Sequence, residues 1–264
     1  MSGELHDSRV APPQLRALIE ANARLWAAEA EIFATYFESP QRNAARDATW
    51  LARQCFKEMS DGIVGRLGQL TLGETDFDRT AARAATALTD EVVRVELKHY
   101  VAFAIAYRIS AREAGMALPA LPRIGADWPE NTELQTLRAQ HRRDHGEIGE
   151  RAAAFTEGGY CTLYRAGMAL DGTVCNAAIA AACRQVFDDE LDHMLGGIAG
   201  LAQAPLRADE WTVLERLTVA QGRCRIRMRN AQFGHPLTPA RVRELEMGAA
   251  VPLAFDYARA GLIG

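Results

Sequence analysis

Apolar residues recur along this chain mostly at intervals of three and four, the period of helices that turn one face inward. Leu15, Leu18, Ile19, Leu25 and Trp26 form one such stripe between Pro13 and about Phe37, interrupted by Asn22 and closed by Ser39-Pro40. A second helix is predicted from about Asn43 to Leu72, marked by Trp50, Leu51, Phe56, Met59, Ile63 and Leu67. Gly73-Glu74-Thr75-Asp76 reads as a capped loop, after which a long helix runs from Asp78 or Arg79 to Gly115. Its inward stripe is Val92, Val93, Glu96, His99, Tyr100, Phe103 and Tyr107.

Pro119, Pro122 and Pro129 mark a connection of about fifteen residues, long enough to cross between non-adjacent helices of a bundle. Helical patterning then resumes over Glu130 to Leu170, with a bend at Gly158-Gly159, and over Thr173 to Ala202. Two further helices, about Asp209 to Phe233 and Pro239 to Gly261, complete the pattern. The expectation is an all-α protein. Its 264 residues, 48% hydrophobic, are enough for one large core, so residues 1–264 are read as a single domain.

Composition removes several function classes. The five cysteines, Cys55, Cys161, Cys175, Cys183 and Cys224, are odd in number and never paired as Cys-x-x-Cys, so neither a disulfide framework nor a zinc ribbon is suggested. No segment has the length and apolarity of a membrane span, and the N-terminal stretch has no apolar run before a small-residue cleavage site; a cytoplasmic location is expected. A formal net charge of -4 gives no overall attraction to nucleic acid.

Two strings stand out, Glu96-Leu97-Lys98-His99 and Glu190-Leu191-Asp192-His193. On a helix, positions i and i+3 share a face, so each string aims a carboxylate and an imidazole at one point. Each is preceded by a glutamate one helix earlier: Glu58 lies 38 residues before Glu96, and Glu157 lies 33 before Glu190. Such separations suit antiparallel helices extending about four to five turns either side of a common level. Four carboxylates converging in a bundle core would be costly without cations.

In this order, Glu, Glu-x-x-His, Glu, Glu-x-x-His, the chain resembles the ferritin-like di-iron carboxylate family over about residues 44 to 203. The resemblance implies a four-helix bundle, with residues 13–38 and 209–261 as an added N-terminal helix and two added C-terminal helices. It implies metal ligation by Glu58, Glu96, His99, Glu157, Glu190 and His193, holding two iron ions or a manganese-iron pair. Asp189 falls where relatives place an acid that orients a metal-bound histidine on a facing helix. Lys98 and Asp192 stand where many relatives have arginine, and Val186 where arylamine N-oxygenases have a further histidine.

Without rubredoxin-like cysteines, and with helices added to the minimal bundle, the resemblance points to an oxygenase or oxidase acting on a small organic substrate. Oxygen would be the co-substrate, a reductase or ferredoxin-type protein the electron donor, and a homodimer is left open. A ferroxidase, a ferritin-like tRNA hydroxylase and a helical scaffold with a vestigial site are the alternatives. Tyr100 and Tyr160, each within a turn of a ligand, are the first choices for catalytic residues, lining the substrate cavity or carrying an oxidising equivalent. His141 and His145 read as a solvated face, and Arg223, Arg225, Arg227 and Arg229 as a surface or intersubunit cluster.

Overall fold

The computed structural model describes residues 9–60, 91–116 and 127–264. The expected continuation of the second helix to Leu72, the loop at Gly73 to Asp76 and the start of the next helix lie outside the described residues. So do Pro119 and Pro122 of the long connection. The described chain is all-helical apart from one short strand pair.

Helix α1 spans Pro13–Phe37, α2 Ala44–Ser60 and α3 Glu91–Glu113. Helix α4 spans Pro129–His145 and α5 Glu147–Phe155; a single 3-10 turn at Gly159–Cys161 leads into α6, Thr162–Met168. Then come α7 (Val174–Leu201), α8 (Ala208–Gln232) and α9 (Pro239–Glu246). Local chemistry sets several ends. Proline opens α1, α4 and α9, where a missing N–H costs nothing. Thr173 and Thr238 cap α7 and α9 by accepting from the N–H of Asn176 and Arg241.

Helix α3 lies between α2 and α7, and α7 packs on α6. On the other side, α1 pairs with α8 and also touches α6, while α8 carries α4 and α5. The N-terminal helix therefore belongs to the interior: Leu15, Leu18, Ile32 and Phe33 are fully buried in the same core as Leu97 and Phe103 of α3. Phe233, just past α8, joins the two halves by meeting Phe33, Tyr36 and Trp50 at ring distances of 5.2, 4.9 and 4.9 Å.

Two sequence expectations differ from the structure. The stretch from Glu130 to Leu170 is three helices and a turn rather than one bent helix. The last helix ends at Glu246, where Gly248 turns with φ +86° and Pro252 follows. The remaining chain returns along α1, with Leu253 N–H donating to the Ala23 carbonyl at 3.1 Å, and Leu262–Ile263 pairs parallel with Arg9–Val10.

Candidate metal centre

Glu58, Glu96, His99 and Glu190 meet between α2, α3 and α7, one potential ligand atom from each lying within 4.8 Å of the others. Each arrives for a local reason. Glu96 and His99 share one face of α3, with Nδ1 of His99 3.8 Å from Oε2 of Glu96. Glu190 sits in the middle of the buried stripe of α7 that includes Cys183, Val186, Met194 and Ile198. Glu58 is placed by Gln54, one turn earlier on α2, whose amide donates to its carboxylate. Gln54 is held in turn by Arg229 at 3.2 Å and by Gln232 at 2.9 Å, both from α8.

The electrostatics are those of a group short of positive charge. Burial pushes the Glu58 carboxyl above its ordinary range, with Glu190 adding to it and Lys57 and His99 opposing. Glu96 rises to about 8, through burial first and then the charges of Glu58 and Glu190. Burial favours neutral His99, but the Glu190 carboxylate beside it, with Glu58 and Glu96, outweighs that and lifts the imidazolium to about 9. Glu190 is the exception: burial raises it, and contact with His99 and the charge of Lys57 bring it below the usual carboxylate value.

Nδ1 of His99 is fully buried, 3.4 Å from Oε1 of Glu190, and makes no hydrogen bond. A buried ring nitrogen without a partner, aimed at three carboxylates, fits a metal ion, since the cation would satisfy the nitrogen and neutralise the acids together. On the other side of the ring, Nε2 faces Oδ2 of Asp189 at 3.4 Å. The aspartate and histidine thus face each other across α3 and α7, and the contact fixes which nitrogen points into the cluster.

The other two expected ligands lie outside this group. The His193 side chain is exposed, one turn beyond Glu190 on α7. Glu157 is also exposed, and the backbone explains why. After α5, Gly159, Tyr160 and Cys161 have φ of +54°, +53° and +56°, three successive left-handed residues that turn the chain away from a helical path. Gly159 is required here: a Cβ at that position would come within 2.9 Å of Glu29 Oε2 and closer still to Arg225. The carbonyl of Glu157, rather than its carboxylate, enters the interior, accepting from Arg225 at 2.8 Å.

Of the tyrosines expected near the ligands, Tyr100 is buried. Tyr160 packs tilted against Trp26 at 5.1 Å and accepts from Asp256 N–H at 3.0 Å. Tyr164 feels the charge of the cluster: burial and then the charges of Glu190 and Glu58 push its hydroxyl well above the ordinary value. Sequence reading also passed over the support for Glu58. Arg225 and Arg229 are buried against Glu29, and Arg227 pairs with Glu133 and Glu246. A glutamate on the apolar stripe of α1 facing an arginine-rich helix was the available signal. His141, expected on a solvated face, is buried and meets Gln221 Nε2 at 2.9 Å.

No family model, curated protein or solved structure matches the chain. Among the described residues, no helix is long and apolar enough to cross a membrane.

Proposed function

We propose that the chain is a metal-dependent oxidoreductase with a ferritin-like dimetal site, in which Glu58, Glu96, His99 and Glu190 hold iron between α2, α3 and α7. The observation that carries this reading is the convergence of three carboxylates on Nδ1 of His99, which is buried and makes no hydrogen bond. Iron held there, with oxygen as co-substrate and an external reductase or ferredoxin-type donor, would supply oxidising chemistry toward a small organic molecule.

The chain's own groups have definable roles in this reading. Asp189 accepts from Nε2–H of His99, which turns Nδ1 toward the carboxylates, where a metal ion would take the place of the Nδ1 proton. The carboxyl proton that Glu96, raised to about 8, holds near neutral pH would leave in the same event. Gln54, braced by Arg229 and Gln232, keeps the Glu58 carboxylate directed at the cluster. His193, one turn beyond Glu190 on α7, and Glu157, just before the left-handed turn, are both exposed and outside the cluster.

A single-metal site is the second reading, favoured by the exposure of Glu157 and His193. Anaerobic titration with ferrous iron separates the two. About two equivalents per chain, lost in Glu58→Ala and Glu190→Ala, with oxygen consumed on exposure of the loaded protein, is expected for the dimetal oxidase. One equivalent selects the single-metal site, and no stoichiometric iron overturns both.

A further inference from the structure

On the edge of α7 beside Glu190 opens a cleft of about 340 Å³, walled by Phe187, Leu191 and Tyr160 and rimmed by Arg165 and Arg259. The left-handed turn that excludes Glu157 builds this wall, because it sets Tyr160 on the cleft and Arg165 one turn further along α6. Arg165 is clamped between rings, its guanidinium 4.6 Å from the centre of Tyr160 and 5.6 Å from that of Phe187. Stacking of this kind occupies the faces of the guanidinium and leaves its in-plane N–H donors free. Among the described residues, Arg165 forms no ion pair.

The remaining charges are partly spoken for. Arg259 stands 3.8 and 3.9 Å from Asp188 and Asp192 and 6.0 Å from the Phe187 ring. The Asp256 carboxylate accepts from the Arg259 backbone N–H at 3.0 Å. The Tyr160 hydroxyl accepts from Asp256 N–H, and so keeps its own hydrogen to donate. The cleft therefore offers a guanidinium that forms no ion pair among the described residues and a hydroxyl donor, beside the apolar side chains of Phe187 and Leu191. A carboxylate attached to an apolar body matches each of these features: the guanidinium takes both oxygens, and the apolar side chains take the body.

We propose that this cleft binds a small organic carboxylate, anchored by Arg165 and Tyr160, with its apolar portion against Phe187 and Leu191. The cleft and the carboxylate cluster share the same turns of α7, and Cys161, beside Tyr160, lies within range of the charges of Glu190 and of both arginines. A ligand held here is thus the substrate class for the proposed oxidase; that extension rests on the dimetal reading, while binding itself does not.

The test is calorimetric titration of the metal-free protein with 3-phenylpropionate, its neutral amide, and inorganic phosphate. Saturable carboxylate binding is expected, weakened about tenfold or more for the amide and in Arg165→Gln, and partly restored in Arg165→Lys. Unchanged circular dichroism of the variants keeps the comparison valid. Binding should persist in Glu58→Ala, so loss of iron and loss of ligand read out separately. Equal binding of the amide, equal binding of phosphate, or no saturable carboxylate binding would each overturn the proposal.

Discussion

Arg225 on α8 grips Glu29 on α1 through two hydrogen bonds of 2.8 Å, and both side chains are 2% exposed. The pair is the hub of a buried polar chain. Arg229 approaches the same carboxylate at 3.5 Å and reaches Gln54, which holds Glu58; Arg225 also holds the carbonyl of Glu157. One carboxylate thus serves two buried guanidiniums, Arg229 bracing Glu58 through Gln54 and Arg225 bracing the backbone before the left-handed turn, and burial together with Arg225 pushes Arg229 below its ordinary pKa.

Glu29→Gln should be the most damaging single change in this network. It leaves two buried arginines uncompensated, at a cost of about 3–5 kcal/mol, whereas Arg225→Met leaves Glu29 still paired with Arg229 and should cost less. Urea unfolding of the two variants measures the difference, and equal losses would show that Arg229 does not share the carboxylate.

Gly159→Ala combines two penalties. A left-handed backbone costs an L-residue about 1–2 kcal/mol, and the added methyl meets the Glu29–Arg225 pair. Unfolding measurements should show a loss above the upper end of that range, because the ion pair must also shift. A loss within a few tenths of a kcal/mol of zero would mean that the turn relaxes.

Asp189→Asn tests the contact on His99. The aspartate side chain is 48% exposed, so folding should change little. Metal affinity should fall about 10–100-fold, because the substituted amide no longer fixes which nitrogen of the ring faces the cluster. Iron titration beside thermal unfolding separates the two effects; an unchanged affinity would remove Asp189 from the site.

Glu157→Ala should leave iron stoichiometry as in the parent, since the exposed carboxylate lies outside the cluster. Elemental analysis decides it, and loss of metal would mean that the left-handed turn unwinds when iron binds.

The metal-free protein should lose stability as the pH rises. Glu96, raised from 4.5 to about 8, contributes stability that is whole below pH 4.5 and gone above about 8. His99, raised from 6.5 to about 9, contributes whole below pH 6.5 and is lost through about 9. A bound divalent ion replaces these protons, so the stabilisation it confers should grow over the same interval. Melting temperatures in chelator and in manganese should therefore diverge between about pH 6 and 9, and parallel curves would count against ligation by these residues.

The sequence by itself determined that this protein is helical and grouped four glutamates with two histidines, of which the structure brings Glu58, Glu96, His99 and Glu190 together. Apolar stripes at helical period and the i, i+3 spacing of Glu96 and His99 are local properties, fixed once a helix forms. Glu58 and Glu190 were legible for the same reason, each lying on the inward face of a long regular helix. The tertiary structure decided the rest. Glu157 was read on a continuous helix, but a left-handed turn follows it, with Gly159 packed against the Glu29–Arg225 pair, and that pair joins residues 196 positions apart. The same long-range contact made buried groups of Arg225 and Arg229, which helical spacing alone had spread over a surface. Periodicity reports which face of a helix is apolar; which charged residues cross from another helix to be neutralised there depends on how the helices pack.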